Sequence, residues 1–481
     1  MIVVLSIIFV SLPIFYSIYT GYRTSKEIKS SKDFFLFHEE LTSAKLRNSI
    51  TASNTSLASV IFSFLALGYS FKIAAILSPI TWLAGFYILI WFFPKIKELS
   101  NRTLHGYLAY KYDKKWIGFI ASFASIIGFL GTYGIELLVS IKISQIIFPN
   151  IPTILIAILL SLVVATYTAL GGFKSATQLD TFRLYLTILG LVVVFGFSYG
   201  YAINNSQSFE NIVKVVTKDF YGFSNLTWLF VISLMLLNVP WQIVDMSMWQ
   251  KLVACNNISD ITRGLKQSIW AIGILWFLLI VLGISLNFFP GFFSPPNDDY
   301  ATLFLSYLKS PVVFAFFAMG CIAAMLSTAD SLLIASVQTL AQDVVFPKRF
   351  EKLSTGTIDN QLDREILLFG RRWVFILGII SPVIIYLLNL LIPGILDLFF
   401  LVYTAQLTLL VSICVAIFCK NPSKFKEISL WSICLGLLCA LFMLIWIVTH
   451  PSPNLFLWAP IASVGLSIIP WIFSSIVMNK K

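Results

Sequence analysis

The chain has 481 residues, of which 58% are hydrophobic and 11% are charged. A soluble domain carries about 25% charged residues, so water cannot be the main solvent of this chain. Its formal net charge of +11 would fit binding to nucleic acid. The placement of the basic residues along the chain argues instead for a role in membrane topology, as described below.

Apolar runs of about 20 residues, long enough to cross a bilayer, recur along the whole chain and leave no span for a separate soluble domain. We therefore predict an all-α polytopic membrane protein in which residues 1–481 form a single transmembrane domain of thirteen helices. The predicted helices lie near residues 2–21, 48–70, 74–94, 117–147, 151–170, 178–203, 226–248, 267–290, 311–342, 371–391, 394–419, 427–449 and 456–477.

The basic residues predict the orientation of these helices. With the N-terminus outside the cell, all but five of the 33 Lys and Arg fall on the cytoplasmic side. This is the asymmetry of the positive-inside rule, and it predicts a multi-pass protein of the bacterial inner (plasma) membrane with a cytoplasmic C-terminus. The basic residues therefore determine the membrane topology, and their charge does not imply that the protein binds nucleic acid. The five exceptions are Lys72, Lys142, Lys214, Lys218 and Lys309.

Two predicted helices contain features that interrupt a helix. The second has Ser, Thr or Asn at seven positions from Ser49 to Ser59, and such side chains compete for backbone hydrogen bonds. The seventh contains Asn238-Val239-Pro240, in which proline removes an amide donor. Discontinuous helices mark the midplane sites of secondary transporters. The alternative is that the hydroxyl groups only bond the preceding turn or allow close helix packing.

The ninth predicted helix contains a cluster of oxygen ligands, Ser327-Thr328-Ala329-Asp330-Ser331, in an otherwise apolar run. Ser327, Asp330 and Ser331 are three and four residues apart and share one helix face. A carboxylate at bilayer depth costs about 2.5–3.5 kcal/mol and needs a partner, a proton or a cation. The cluster favours a cation site, and the alternative is that Asp330 pairs with a structural residue or faces cytoplasmic water.

Together these motifs resemble the sodium:solute symporter family over nearly the whole chain. The resemblance includes Gly21-Tyr22-Arg23, Thr103-Leu104 and the turn Thr168-Ala169-Leu170-Gly171-Gly172 with Asp180 after it, and it is most specific in the ninth helix. From the residue alone, Asp180 is equally well explained as a helix cap. The resemblance implies a LeuT-like fold with a 5+5 inverted repeat. Its parts would be a leading helix and inside loop at 1–47, repeats at 48–203 and 226–419, and two trailing helices at 420–481.

The resemblance also implies which residues bind sodium. The main site would use the backbone carbonyls of Ala52, Thr55 and Ala324 and the hydroxyls of Ser327 and Thr328. Members with a second sodium place it at the positions of Asp180, Ser327, Asp330 and Ser331. Asp330 replaces a hydroxyl residue of that pattern, which leaves a second sodium, a proton and a closed site as alternatives.

For the solute, the resemblance implies a site halfway across the bilayer with Trp241 as an aromatic gate. Ser59 matches the sugar-binding glutamine of glucose-type members, so a sugar is disfavoured. The role of Asp245, at the end of the seventh helix, stays open. The positions that match the family's solute site are Asn54, Ser59, Asn238, Trp241 and Gln406.

The predicted function is that of a sodium-coupled secondary active symporter that imports a small polar solute, such as an amino acid or a carboxylate, by alternating access. Its partners would be Na+, the solute and the lipid bilayer, and it would work as a monomer. The alternatives are a proton-coupled carrier that uses Asp330 and a transporter-like membrane sensor. The sensor is disfavoured because no soluble output domain precedes Lys480-Lys481. An enzyme is disfavoured because no nucleophile, base or metal constellation is present.

Overall fold

The architecture comes from a computed structural model of the chain. It describes residues 2–36, 41–96, 103–205, 227–255, 257–288, 310–347, 360–450 and 454–478, together with residues 308 and 452, and these contain no β-strand. Lys214, Lys218 and Lys309, which were expected on the outer side of the membrane, lie outside the described residues. The helices are α1 (Ile2–Ser25), α2 (Ser31–Leu36), α3 (Ser43–Ser53), α4 (Ser63–Phe71), α5 (Leu77–Ile96), α6 (Leu104–Lys111), α7 (Lys115–Ile147), α8 (Thr153–Asn205), α9 (Trp228–Val244), α10 (Met246–Val253), α11 (Ile258–Ser285), α12 (Pro311–Thr339), α13 (Asn360–Leu391), α14 (Ile395–Leu407), α15 (Leu410–Phe418), α16 (Lys426–Thr449) and α17 (Trp458–Met478).

Eleven stretches of the described residues are long and apolar enough to cross a membrane. Two of them far exceed the about 20 residues that one crossing needs, namely Leu57–Pro94 with 38 residues and Thr153–Gly200 with 48. The first contains a 3-10 turn that begins at Lys72, where φ is 50°. The second has a non-helical backbone at Gly172, where φ is 52°. Each run is therefore interrupted within its length.

Some helices extend beyond the apolar runs that predicted them. α11 begins at Ile258 rather than near residue 267, and α13 begins at Asn360 rather than near residue 371. The added turns carry charged side chains, which a hydropathy window rejects although a helix backbone satisfies its own hydrogen bonds there. The predicted helix at 394–419 is divided into α14 and α15 at Thr408 and Leu409.

α12 lies in the centre of the bundle. Every residue from Phe317 to Thr339 is buried, and the helix packs against α1, α7 and α8. Small residues permit this close approach, since a Cβ atom added to Gly190 of α8 would lie 2.6 Å from the carbonyl oxygen of Phe316. Because this stretch of α12 has no lipid-facing side, its polar groups must find their partners within the protein.

Two breaks interrupt helices beside α12. α3 ends at Ser53, and the chain resumes as a π-helical turn, Leu57–Phe62, that runs into α4. This break lies within the polar run that predicted it. The second break separates α9 from α10 at Asp245, whose backbone is extended with φ −78° and ψ 104°.

The expectation that the second break lies at Asn238-Val239-Pro240 is wrong. α9 continues through Pro240 and ends at Val244. A membrane helix tolerates the missing amide of a proline because neighbouring groups satisfy the freed carbonyl. The extended backbone of Asp245 ends the helix instead, and its side chain accepts a hydrogen bond from the amide of Ser247 as the cap of α10.

We expect Gly172→Ala to lower the thermal stability of the purified protein, and Gly196→Ala on the same helix to leave it unchanged or raise it. A left-handed backbone costs an L-residue about 1–2 kcal/mol, and a Cβ atom on Gly172 would also lie 2.4 Å from the carbonyl oxygen of Phe34. At Gly196 the added atom meets nothing within 4 Å in the described structure, so alanine gains about 0.5–1 kcal/mol of helix preference. Thermal unfolding in detergent measures both variants, and equal midpoints would contradict the turn at Gly172.

Candidate cation and solute site

The broken end of α3 contacts the hydroxyl cluster of α12. The single hydroxyl proton of Thr328 is within hydrogen-bond reach of two carbonyl oxygens, with oxygen–oxygen distances of 3.1 Å to Ser53 and 3.2 Å to Ala324. The last carbonyls of a helix lack intrahelical donors and carry the negative end of its dipole. Ala52 and Thr55, the other expected ligands, lie in the same buried segment. The structure thus brings the two distant parts of the expected sodium site together.

Asp180 links three helices beside this contact. It is fully buried and accepts hydrogen bonds from the hydroxyls of Ser327 on α12 and Ser49 on α3, each at 2.5 Å. The ammonium of Lys251 on α10 lies 3.9 Å from the same carboxylate. Lys251 donates in turn to the Ser49 carbonyl at 3.1 Å and the Ser53 hydroxyl at 2.7 Å. A lysine therefore stands close to the position expected for a second cation.

Asp330 has a different partner from Asp180. Its carboxylate lies 2.5 Å from the Arg183 guanidinium of α8, and both side chains are fully buried. Arg183 also donates to the Leu326 carbonyl at 3.2 Å and to the Ser17 hydroxyl at 2.9 Å. This geometry corresponds to the alternative in which Asp330 pairs with a structural residue. Ser331, the remaining expected ligand, donates to the carbonyl of Ser327 at 3.0 Å and lines the central cavity.

A central cavity lies between the two helix breaks and α12. Asn54, Ser59 and Trp241 line it, as expected for solute ligands, together with Thr328. The positions expected for the cation and the solute are therefore adjacent. The ring of Trp241 lies against that of Tyr403, with centroids 4.0 Å apart.

The other two expected solute ligands lie elsewhere. Asn238 lines a neighbouring cavity that shares Ser59 with the central one, and its amide nitrogen donates to the Thr81 hydroxyl at 3.0 Å. Gln406 is fully buried and donates to the Ser125 carbonyl at 3.2 Å. It lines neither cavity, because it packs between α14 and α7.

Sequence reasoning missed several residues of the site. Glu136 of α7 is fully buried and accepts hydrogen bonds from the Ser56 hydroxyl at 2.7 Å and the Leu57 amide at 3.0 Å. Asp330 was identified because a charged side chain at bilayer depth is costly. The same criterion applies to Glu136 and Arg183 and would have identified them. The contact of Tyr403 with Trp241 left no such signal in the sequence.

Comparison with known proteins identifies the class to which this chain belongs. The family model described as the sodium:solute symporter family matches residues 34–425. A curated relative, the sodium/pantothenate symporter of Haemophilus influenzae, is 24% identical over 280 residues. That match covers 56% of this chain and 56% of the relative, so the chain spans about half the length of the curated relative it matches.

Two solved structures share the fold. A Na+-coupled sialic acid symporter, solved in a substrate-bound outward-open state, superposes with a TM-score of 0.76 at 15% identity over 98% of each chain. MHP1, a transporter of the nucleobase-cation-symport-1 family, gives a TM-score of 0.52 at 13% identity over 92% of this chain and 95% of its own. The fold defines a multi-pass helical membrane protein of the LeuT-like kind.

The chain belongs to the sodium:solute symporter family. The resemblance found in the sequence is thereby confirmed. The matched family is named for sodium:solute symport, and the curated relative is a sodium-coupled symporter rather than an enzyme.

We expect Arg183→Met to destabilise the protein strongly and the double variant Arg183→Met/Asp330→Leu to recover most of the loss. Removing one partner of a buried ion pair leaves an uncompensated charge and costs about 3–5 kcal/mol, whereas replacing both by apolar residues is often nearly neutral. Lys114→Met serves as the control, because Lys114 pairs at 2.6 Å with the largely exposed Glu427 and such pairs contribute about 0–1 kcal/mol. Thermal unfolding measures all three, and a double variant that is no more stable than Arg183→Met would contradict the pairing.

Proposed function

We propose that this protein is a sodium-coupled secondary active symporter that imports a small polar solute by alternating access. The observation that carries the proposal is the contact of Thr328 with the broken end of α3, beside a cavity lined by Asn54 and Trp241. Family membership and the Na+-coupled relatives support it. The protein would work as a monomer in a bacterial inner membrane, with the N-terminus outside and the C-terminus cytoplasmic.

The thirteen-helix topology is part of this proposal. If the two long runs interrupted near Lys72 and Gly172 each count as two crossings, the eleven candidate spans become thirteen. A single domain with repeats at 48–203 and 226–419 places one broken helix in each repeat. Helices broken at corresponding positions of two halves are typical of inverted-repeat transporters.

For the main sodium site we propose carbonyl ligands from the end of α3 and from α12, and hydroxyl ligands from α12. Carbonyls at the C-terminal end of a half-helix coordinate Na+ in transporters of this architecture. The contact of Thr328 with the carbonyls of Ser53 and Ala324 supports this proposal, because it brings the end of α3 next to α12. The proposed ligands are the carbonyls of Ala52, Thr55 and Ala324 and the hydroxyls of Ser327 and Thr328.

For the second cation position, around Asp180, Asp330 and Ser331, we propose that side chains of the protein supply the positive charge. Lys251 approaches Asp180, and Arg183 binds Asp330. Of the alternatives open from the sequence, this geometry supports a closed site and hence a single Na+ per cycle. The same pairing weakens the proton-coupled alternative, because a carboxylate bound by a guanidinium does not need a proton to be neutralised.

One Na+ provides enough energy for uphill transport. A membrane potential of about 100 mV contributes about 2.3 kcal/mol per charge, and a roughly tenfold Na+ gradient adds about 1.4 kcal/mol. Their sum corresponds to an accumulation of the solute of about several hundredfold. The proposal therefore needs no second ion to explain import.

We expect Thr328→Ala to weaken the affinity for Na+ by about tenfold or more, the effect of losing about 1.4 kcal/mol of ligand interaction. Ser336→Ala is the matched control, because Ser336 is a buried hydroxyl on the same helix whose one side-chain hydrogen bond among the described residues goes to the Leu332 carbonyl, at 2.8 Å. Titration of NaCl at constant ionic strength, followed by the thermal midpoint of the purified protein, measures both. Wild-type Na+ affinity in Thr328→Ala would overturn the proposed site.

We expect Na+ to stabilise the wild-type protein and K+ at the same concentration not to do so, at both pH 6 and pH 8. A ligand that binds the folded state raises its stability according to concentration and affinity. An effect that followed pH and ignored Na+ would instead establish the proton-coupled alternative.

A further inference from the structure

Both helix N-termini at the centre of the bundle are already occupied by carboxylates of the chain. The helical segment after the first break starts at Leu57, where the fully buried Glu136 accepts hydrogen bonds from the Ser56 hydroxyl and from the amides of Leu57 and Ala58. An N-terminus of this kind is a ready anion site, because its amides are free and its dipole is positive. Here those amides are already bonded to Glu136 and are not free to bind an anionic solute.

The second break repeats this arrangement. α10 starts after Asp245, whose carboxylate accepts hydrogen bonds from the Ser247 amide at 2.8 Å and the Ser247 hydroxyl at 2.9 Å. Asp245 lines the central cavity, so its charge acts directly on whatever binds there. Asp245 would repel a solute carboxylate at this break. The Ser247 amide and hydroxyl, which could otherwise bind such a carboxylate, already donate to Asp245.

The buried carboxylates around the cavity differ in their partners. Asp180 lies close to Lys251, and Asp330 binds Arg183. Glu136 and Asp245 form no ion pair among the described residues, and no Lys, Arg or His of the described chain lines the central cavity or its neighbour. The coupling Na+ would supply one positive charge beside these two carboxylates. A cationic solute would supply a second one.

The lining of the cavity is suited to an organic cation. Trp82, Trp241 and Tyr403 line it, and aromatic faces attract ammonium groups through their negative electrostatic potential. Trp82 is only 6% exposed, and its indole N–H has no hydrogen-bond partner in the described structure. This donor requires an acceptor oxygen, which a bound solute could provide.

We propose that the solute is a small organic cation, an amine or quaternary ammonium compound that carries a hydroxyl or carbonyl oxygen and no acidic group. This inference rests on the proposed function, since it assigns the solute of that same cavity. It replaces the sequence-based expectation of an amino acid or carboxylate. Glu136 and Asp245 would exclude anions, and the three aromatic rings would enclose the cationic group.

The test uses the wild-type protein in detergent and paired probes that differ in a carboxylate. The pairs are choline with glycine betaine, ethanolamine with glycine, and prolinamide with proline, and pantothenate and sialic acid are added as anions. In NaCl, the cationic member of at least one pair should raise the thermal midpoint more than its carboxylate partner, and the anions should have no effect. Stabilisation by the carboxylates or anions alone, or no stabilisation by any cation, would overturn the inference.

Asp245→Asn then tests the source of the selectivity. Asparagine retains an oxygen acceptor for Ser247 but removes the charge, so the affinity for the stabilising cation should fall by about tenfold or more. Asp343→Asn is the control, because Asp343 is a carboxylate bound to Thr103 and His105 and lines neither cavity. Equal cation affinity in both variants would contradict a role for Asp245.

The two proposals fail in distinguishable ways. If Na+ stabilises the protein, and Thr328→Ala weakens that effect, sodium coupling stands whichever probe binds. If cations bind equally well in NaCl and KCl, the substrate class stands and the coupling to Na+ does not.

Discussion

The structure depends on satisfying polar groups that are buried in the middle of the bundle. A backbone group or charge at that depth must be satisfied by the protein, at a cost of several kcal/mol when it is not. Two helix breaks free carbonyls and amides there, and buried side chains bond several of them. Thr328 holds the end of α3, Glu136 the segment that starts at Leu57, and Asp245 the start of α10.

The four buried carboxylates of the described residues differ in their partners. Asp180 and Asp330 lie close to Lys251 and Arg183 respectively, and these contacts join α3, α8, α10 and α12. Glu136 and Asp245 instead cap helix starts, where they accept hydrogen bonds from neutral donors. In the proposed mechanism, the first two close a cation position and the second two leave the central cavity electronegative, which is the basis for its selectivity.

The sequence predicted the helical membrane architecture because repeated apolar runs of about 20 residues are typical of membrane-spanning helices, and it placed the first break correctly because polar side chains crowd Ser49 to Ser59. It misplaced the second break at Pro240, since tertiary contacts decide whether a proline ends a helix, and residue type does not reveal the extended backbone of Asp245. For Asp330 the sequence showed that a partner was required but not which one, because Arg183 lies on another helix. The ring contact between Trp241 and Tyr403 likewise joins residues that are far apart in the sequence, so the sequence alone did not reveal it.

Lys251 also constrains how the molecule can move. Its ammonium bonds the Ser49 carbonyl and the Ser53 hydroxyl, so one buried cation fastens α10 to α3. Parting the two half-helices would break both hydrogen bonds of that buried cation in a medium of low polarity, which is costly. The two half-helices should therefore move together as one rigid unit, with each helix bending at its break, after Ser53 and before Met246.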